Sequence, residues 1–255
     1  MERTIQIVFS PTGGTQKAAD IMAEEWKKPL EKVDLSLPDA DFSATEVRES
    51  DAVIIAVPSF GGRVPEPAAR RLSEIKGNGA CCVVMCVYGN RAYDDTLKEL
   101  NDIAVSCGFK VVAAVAAVAE HSICHQYATG RPDGDDAEKL RDFARQIAIK
   151  MEAGTALTSE IPGNRPYKKA GGAPLVPKAD GKCNGCGTCA RECPVRAIDI
   201  SDPKSTDAKK WCISCMRCIK VCPQHARSVN KLMVAAAAMA LKKACSVRKE
   251  CELYL

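Results

Sequence analysis

The sequence has 255 residues, a length that favours one large domain and a smaller one. Its 36 basic and 32 acidic residues leave a formal net charge of +4, too small to indicate a nucleic acid or an anionic membrane surface as a partner. Aromatic residues make up 5% of the chain, which also disfavours a surface on which bases stack.

The longest apolar runs, VVAAVAAVA and LMVAAAAMAL, are shorter than the ~20 residues of a membrane-spanning helix. The first residues, MERTIQIVFS, lack the features of a signal peptide. The chain has 15 cysteines, many of them clustered near the C-terminus, which indicates metal ligation rather than disulfides. We therefore expect a cytoplasmic protein without a membrane span.

Apolar runs alternate with helix-like segments over residues 1–153. The strands are predicted at 4–10, 32–36, 51–58, 80–88 and 110–120, and the helices at 14–28, 66–76, 92–107 and 135–152. Three of these strands are continuously apolar, as expected when helices cover both faces of a sheet. The alternation predicts an α/β fold with a doubly wound parallel sheet of five strands.

A glycine-bearing loop with three hydroxyl groups, SPTGGT, follows the first predicted strand. Its candidate ligand-binding residues are Ser10, Thr12, Gly13, Gly14 and Thr15. Hydroxyl groups and backbone N–H groups at the start of a helix suit a phosphate dianion. The spacing is neither that of a P-loop nor that of the dinucleotide motif GxGxxG. Helix capping is the alternative, although one hydroxyl group is enough for a cap.

Two more loops are predicted at the same edge of the sheet, because ligands of doubly wound sheets bind at the carboxyl ends of the strands. They follow the third and fourth strands and read PSFGGRVPEPA and YGNRAYDD. Each combines glycine with an aromatic residue, so its backbone is free to bend toward a flat ring. Packing in the core is the alternative for Phe60 and Tyr88.

The loop SPTGGT resembles the phosphate loop of flavodoxins, which has the pattern S/T-x-T-G-x-T at this position. The resemblance implies a flavodoxin-like sheet of order 2-1-3-4-5 that binds FMN. It also implies that two sets of residues flank the isoalloxazine ring. One set is Pro58, Ser59, Phe60, Gly61 and Gly62, and the other is Tyr88, Gly89, Asn90 and Arg91.

Three polar residues near these loops are candidates for a catalytic role. Arg63 and Arg91 would attract an anionic flavin or a small anionic substrate, whereas flavodoxins usually surround the flavin with acidic residues. His121 follows the fifth strand and is a candidate proton donor. The alternatives are surface charges for the arginines and a structural hydrogen bond for the histidine.

Residues 154–180 are rich in Gly and Pro and predict a linker or an extended strap. Residues 181–228 contain two repeats, CNGCGTCARECP and CISCMRCIKVCP, that align at an offset of 29 residues. In the pattern C-x2-C-x2-C-x3-C-P, three cysteines bind one iron–sulfur cube and the fourth binds the other. The first cluster is assigned to Cys183, Cys186, Cys189 and Cys222, and the second to Cys212, Cys215, Cys218 and Cys193.

Zinc is the alternative for these cysteines, but zinc sites usually take two C-x2-C pairs separated by a longer loop. The repeats resemble bacterial two-cluster [4Fe-4S] ferredoxins, small α+β domains that transfer single electrons. The segment 181–228 also has nine Lys and Arg residues against four acidic ones. These would favour reduced clusters or an acidic partner, or would form a solvated basic face. One helix is predicted for residues 229–255.

The whole chain resembles flavodoxin–ferredoxin fusion proteins of anaerobic bacteria and archaea. The resemblance implies an electron-transfer protein with two [4Fe-4S] clusters and FMN, a converter between one-electron and two-electron transfer that needs a redox partner protein. One alternative is an FMN-dependent reductase of a quinone, nitro compound or metal cofactor. The other is a ferredoxin whose first domain binds no flavin and serves for docking.

Overall fold

The computed structural model of the protein describes residues 1–171, 175–204 and 212–255. Its strands are β1 (Thr4–Val8), β2 (Leu30–Asp34), β3 (Ala52–Pro58), β4 (Cys81–Tyr88), β5 (Lys110–Val118), β6 (Lys178–Ala179), β7 (Arg227–Ser228) and β8 (Glu252–Tyr254). The main sheet has the order β2-β1-β3-β4-β5-β8, and its first five strands are parallel. The predicted order 2-1-3-4-5 is therefore confirmed, and with it the flavodoxin-like fold.

Helices cover both faces of this sheet. The helices of the chain are α1 (Gly14–Trp26), α2 (Glu66–Leu72), α3 (Thr96–Ser106), α4 (Gly134–Ala153), α5 (Thr188–Arg191), α6 (Arg217–Lys220) and α7 (Lys231–Cys245). One apolar core lies between the sheet and the helices α1 and α4, where Met22 and Leu140 are fully buried. The other lies beneath α2 and α3, where Leu72 and Leu100 are fully buried. Two buried faces explain why the central strands are continuously apolar.

The C-terminal segment differs from the single helix predicted for residues 229–255. The helix α7 ends at Cys245, and β8 then pairs antiparallel with β5, with Ala114 opposite Tyr254. The side chain of Asn90 donates to the carbonyl oxygens of Cys245 and Val247 at 2.8 and 2.9 Å, and thereby holds the turn that follows the helix. The short strand β8 covers the edge of β5, whose backbone groups would otherwise lack partners.

The two cysteine repeats also repeat each other in backbone conformation. The short helices α5 and α6 begin 29 residues apart, as the sequence alignment requires. Three pairs of residues at the same offset have positive φ, namely Gly185 and Ser214, Gly187 and Met216, and Arg196 and His225. β6 pairs antiparallel with β7 and closes this segment. The backbone pairing of the cysteine-rich segment therefore begins at Lys178, three residues before its predicted first residue at 181.

The predicted linker 154–180 is a strap fixed along the sheet domain, as far as the structure describes it. Its backbone N–H groups at Asn164 and Lys168 donate to the two carboxylate oxygens of Asp95 at 2.8 and 2.6 Å. Arg165 pairs with Asp102 on α3. These contacts tie the strap to α3 and lead it toward the loop that follows β3. Among the described helices, none has both the length and the apolar character needed to cross a membrane.

Candidate functional site

The loop between β1 and α1 is held in one conformation by its own hydroxyl groups and glycines. The Oγ atom of Ser10 accepts a hydrogen bond from the N–H of Gln16 at 2.9 Å, and the Ser10 N–H donates to Ser36 Oγ at 3.0 Å. Gly13 is the N-cap residue of α1, has a φ of 96°, and forms no side-chain hydrogen bond to the first turn of the helix. A Cβ atom at Gly14 would lie 3.3 Å from the Cβ of Ala119.

This geometry suits the predicted phosphate site. The first N–H groups of a helix have no partner within the helix, and Gly13 before α1 has no side chain to cap them, so that among them Ser10 Oγ accepts only from Gln16. Thr15 is buried at the start of the helix, and Thr12 is half-buried in the loop. A phosphate group has the oxygen acceptors that such N–H and O–H donors need. The predicted residues of this loop therefore fit the phosphate end of FMN.

The loop after β3 is a two-residue hairpin turn. The N–H of Phe60 donates to the Arg63 carbonyl oxygen at 3.0 Å, and the Arg63 N–H donates back at 3.2 Å. Gly61 and Gly62 between them have φ of 61° and 85°, as a type I′ turn requires. A Cβ atom at Gly62 would lie 2.2 Å from Asp94 Oδ2, so any larger residue here would displace the Asp94 side chain.

The residues around this turn also have fixed contacts. Ser59 follows Pro58 at the end of β3, and its hydroxyl group forms a 2.7 Å hydrogen bond with the hydroxyl group of Thr96. The ring of Phe60 packs edge-on against the ring of Phe9, with centroids 6.5 Å apart. The loop is thus a rigid element at the carboxyl end of the sheet, where the sequence predicts it.

The loop after β4 brings two predicted site residues together. Gly89 lies against His121 at the end of β5, since a Cβ atom at Gly89 would be 2.7 Å from His121 Cδ2. The buried ring of Tyr88 packs edge-on against Tyr93 at 5.2 Å. Asn90 has φ of 63°, and its side chain bonds to the segment after α7. Asn90 therefore has a structural role in addition to its predicted place beside a flavin.

His121 is held as a neutral imidazole. Its Nδ1 atom accepts hydrogen bonds from the N–H groups of Ile123 and Cys124 at 3.2 and 3.1 Å, which leaves the proton on Nε2. Burial is the main cause that lowers the pKa of His121 below its usual value of 6.5, and the nearby His125 adds to it. The Nε2–H group is therefore the hydrogen-bond donor that His121 offers to a neighbouring ligand.

Both predicted arginines have carboxylate partners. Arg63 donates from Nε and Nη2 to the two oxygens of Glu99, each at 2.7 Å, and its Nη1 donates to the carbonyl oxygen of Lys168 at 2.6 Å. Arg91 pairs with Asp94. The positive charge that either arginine presents to a neighbouring anion is therefore smaller than the sequence alone suggests, because each is paired within the protein.

Four cysteines line a cavity in the cysteine-rich segment. They are Cys193, Cys212, Cys215 and Cys218, the same four that the spacing assigns to the second cluster. The rest of the lining is apolar and includes Val176, Pro194 and Ile213. Burial raises the pKa of the Cys215 and Cys218 thiols to about 12 each, so metal binding is needed to deprotonate them at neutral pH. This donor set fits a [4Fe-4S] cluster.

No three His, Cys, Asp or Glu side chains within residues 1–171, 175–204 and 212–255 are grouped around a point where one metal ion would bind. The cysteines surround a space instead. Backbone N–H groups also bond to the sulfur atoms of the fourth cysteine in each repeat, from Ala197 to Cys193 at 3.2 Å and from Ala226 to Cys222 at 3.3 Å. Such N–H···S bonds stabilise thiolates bound to iron.

The cysteines assigned to the first cluster lie nearer the surface. Cys186 is exposed, and its pKa is lowered mainly by a hydrogen bond with Thr188. Cys189 is buried and accepts a hydrogen bond from Arg227 Nε at 3.1 Å. Arg227 is one of the nine basic residues of segment 181–228, and nothing in the sequence predicts this contact, since only the fold brings Arg227 and Cys189 together.

The cysteine-rich segment docks on the carboxyl end of the sheet. Ile213, the residue after Cys212, packs against the core beneath α2 and α3. Arg217 Nη1 donates to the carbonyl oxygen of Pro11 in the loop before α1 at 3.4 Å. Arg71 on α2 donates to the carbonyl oxygen of Pro194 at 2.5 Å. The cysteines assigned to the second cluster thus lie beside the sheet domain, next to the predicted phosphate loop.

Residues 182–227 match the family model of the 4Fe-4S dicluster domain. A comparison with curated proteins gave no match. Among solved structures, the chain is similar to rubredoxin oxygen:oxidoreductase from the anaerobe Desulfovibrio gigas, with 18% identity, a TM-score of 0.44, and coverage of 60% of this chain and 37% of that one. This chain thus spans little more than a third of that protein's length.

Two flavodoxins are also similar. That of Streptococcus pneumonia TIGR4 has 24% identity and a TM-score of 0.41, with 58% of this chain and 99% of that chain covered. Flavodoxin 1 from Bacillus cereus has 18% identity and a TM-score of 0.43, with 58% and 97% covered. From its own strand order and the matched segment, this chain joins a flavodoxin-like sheet domain to a 4Fe-4S dicluster domain.

Proposed function

We propose that the protein transfers electrons between two bound [4Fe-4S] clusters and a bound FMN, as a converter between one-electron and two-electron transfer. The observation that carries this proposal is the cavity lined by Cys193, Cys212, Cys215 and Cys218, beside the flavodoxin-like sheet domain. When bound, each cluster supplies a one-electron carrier and the flavin supplies a two-electron carrier.

The cysteines divide between the two clusters according to their spacing. Cys183, Cys186, Cys189 and Cys222 would hold the first cluster, and the four cysteines that line the cavity would hold the second. Ala197 and Ala226 would stabilise the bound sulfur atoms through their N–H groups. The apolar walls of the cavity would limit the access of water to a bound cluster.

The three loops at the carboxyl end of the sheet would hold the flavin. Ser10, Thr12 and Thr15, with the N–H groups that follow Gly13, would bind its phosphate. The turn at Gly61 and Gly62 and the residues Tyr88 and Gly89 would flank its ring. The rigid hydrogen bonding of the turn supports this role, because a preformed site loses little entropy when the ligand binds.

Cys186 provides a route for exchange with a partner protein. It is exposed, and Arg191 lies close to it, with Nη2 donating to the Cys186 carbonyl oxygen at 3.0 Å. We expect a redox partner with an acidic surface to dock here, since the segment carries an excess of basic residues. We also propose a cytoplasmic location, because cysteines clustered for metal ligation are typical of a reducing compartment.

One observation favours a second function, direct reduction of a small acceptor by the flavin. His121 lies against Gly89 as a neutral imidazole, and its Nε2–H group could donate a hydrogen bond to a small acceptor beside the flavin. A reductase would turn over a quinone or nitro compound without any partner protein. An electron-transfer protein would need the partner, so adding and omitting it separates the two functions.

Cysteine variants test the proposal after anaerobic reconstitution with iron, sulfide and FMN. Cys189→Ser and Cys215→Ser should each lose about half of the bound iron, since each removes one ligand from a different cluster. Cys81→Ser is the matched control, because Cys81 lies on β4 outside both ligand sets, and it should keep all the iron. Equal iron content in all three variants, or a lack of flavin in the reconstituted protein, would refute the assignment.

A further inference from the structure

Arg227 is a buried arginine that lies between the two sets of cysteines. It is 4% exposed and belongs to β7. Its Nε atom donates to the sulfur atom of Cys189 at 3.1 Å, and its Nη1 atom donates to the carbonyl oxygen of Pro177 at 3.3 Å. Its Nη2 atom donates to the carbonyl oxygen of Pro203. Within the part of the chain that the structure describes, its hydrogen bonds thus go to a sulfur atom and to neutral carbonyl groups.

The charge of Arg227 is not matched by an acidic partner in the part of the chain that the structure describes. Two other arginines of the cysteine-rich segment, Arg196 and Arg217, form ion pairs with carboxylates. No ion pair among the described residues includes Arg227. The guanidinium group also acts electrostatically on Cys212 and Cys218, so it lies within reach of both ligand sets but touches only one of them.

The internal repeat provides a direct comparison. The residue 29 positions before Arg227 is Ile198, and the residue 29 positions after Cys189 is Cys218. Ile198 is 8% exposed and forms an apolar cluster with Cys189 and Ala190, against which Cys218 packs. The two positions share the same backbone arrangement, since the preceding alanines bond to Cys193 and Cys222 at nearly equal distances. The first cluster therefore has a cation where the second has an aliphatic side chain.

We propose that Arg227 makes the cluster of Cys183, Cys186, Cys189 and Cys222 the more easily reduced of the two. A [4Fe-4S] cluster with four thiolate ligands gains negative charge on reduction. A buried cation beside a ligand sulfur attracts that added charge more strongly than the same cation would across water, because the local dielectric constant is low. Ile198 gives the second cluster no such stabilisation. This inference rests on the proposed binding of both clusters.

The test is a redox titration of the full chain, reconstituted anaerobically and followed by electron paramagnetic resonance. The wild-type protein should show two separate one-electron couples. Arg227→Ile makes the two repeats alike at this position. We expect the equilibrium constant for reduction of the upper couple to fall at least tenfold in this variant. For one electron, this corresponds to a reduction potential lower by 59 mV. The lower couple should move less, so the separation should narrow. Arg227→Lys keeps the charge and should retain most of the separation.

Iron and sulfide analysis of each variant separates the possible failures. If the wild-type protein binds no clusters, the proposed function fails. If Arg227→Ile binds both clusters and keeps the wild-type separation, or if the wild-type couples coincide, the role of Arg227 is refuted. If Arg227→Ile does not assemble, Ile198→Arg decides, because a cation placed beside Cys218 should raise the lower couple. An unchanged lower couple in that variant would also overturn the inference.

Discussion

Arg71 joins the two halves of the chain through the carbonyl oxygen of Pro194, the residue that follows Cys193. Its Nη2 atom donates to this oxygen at 2.5 Å, and its Nη1 atom donates to the carbonyl oxygen of Leu35 at 2.5 Å. The arginine is 2% exposed and lies over the ring of Phe42. A single buried guanidinium group thus satisfies one carbonyl on each side of the contact between the domains.

Arg71→Met should therefore weaken the contact between the sheet domain and the cysteine-rich segment. It leaves two buried carbonyl oxygens without this donor, and each unmet group costs about 1–3 kcal/mol. Since methionine regains some packing, we expect the free energy of unfolding to fall by about 2 kcal/mol in urea denaturation followed by circular dichroism. Arg70→Met is the matched control, because Arg70 is exposed and forms an ion pair with Glu74 on the protein surface. Equal effects of the two substitutions would contradict the bridging role.

Gly62→Ala should destabilise the turn after β3. Its φ of 85° is unfavourable for alanine, and the new Cβ atom would lie 2.2 Å from Asp94 Oδ2. Asp94 would have to move away from Arg91 and Lys168, its ion-pair partners. We expect the free energy of unfolding to fall by about 2 kcal/mol and FMN binding to weaken. Gly181→Ala, where a Cβ atom meets nothing within 4 Å, should leave both quantities unchanged.

Ser10→Ala should weaken the phosphate site. The substitution removes the acceptor of the Gln16 N–H at the start of α1, a loss that costs about 1 kcal/mol. We expect the dissociation constant of FMN to rise by about tenfold, measured by quenching of flavin fluorescence. Ser73→Ala removes a hydroxyl group that bonds to the Ala69 carbonyl oxygen at an exposed helix end, and serves as the control. A dissociation constant unchanged by Ser10→Ala would exclude this loop from the site.

The low pKa of His121 predicts a pH dependence of stability. Because its pKa in the folded protein lies below 6.5, the unfolded chain binds more protons than the folded one as the pH falls below that value. The stability that His121 contributes as a neutral side chain is thus lost on acidification. His121→Asn should flatten the dependence of the unfolding free energy on pH between about 5.5 and 7. A variant with the wild-type slope would show that another group causes it.

The sheet could be predicted from the sequence because its central strands are buried on both faces and have continuous apolar runs. The strand β8 could not, since it has three residues and forms only where β5 offers a free edge. The end of α7 at Cys245 was missed for a related reason, because Asn90, distant in sequence, holds the turn that follows it.

The candidate site divides in the same way. Its glycines could be predicted, since a left-handed backbone or a close contact leaves a mark in the sequence, as at Gly13 and Gly62. The partners of charged residues could not. Arg63 meets Glu99 only because the turn after β3 lies over α3. The buried arginines Arg71 and Arg227 bond to carbonyl oxygens, and a carbonyl acceptor leaves no pattern of residue types in the sequence.

The most direct measurement is an anaerobic reductive titration of the reconstituted full chain, with iron, sulfide and FMN determined on the same sample. We expect about eight irons, eight sulfides and one FMN per chain, and an uptake of about four electrons, one by each cluster and two by the flavin. The flavin absorbance should bleach during the titration. An uptake of about two electrons without change in the flavin bands, or zinc in place of iron, would contradict the proposed function.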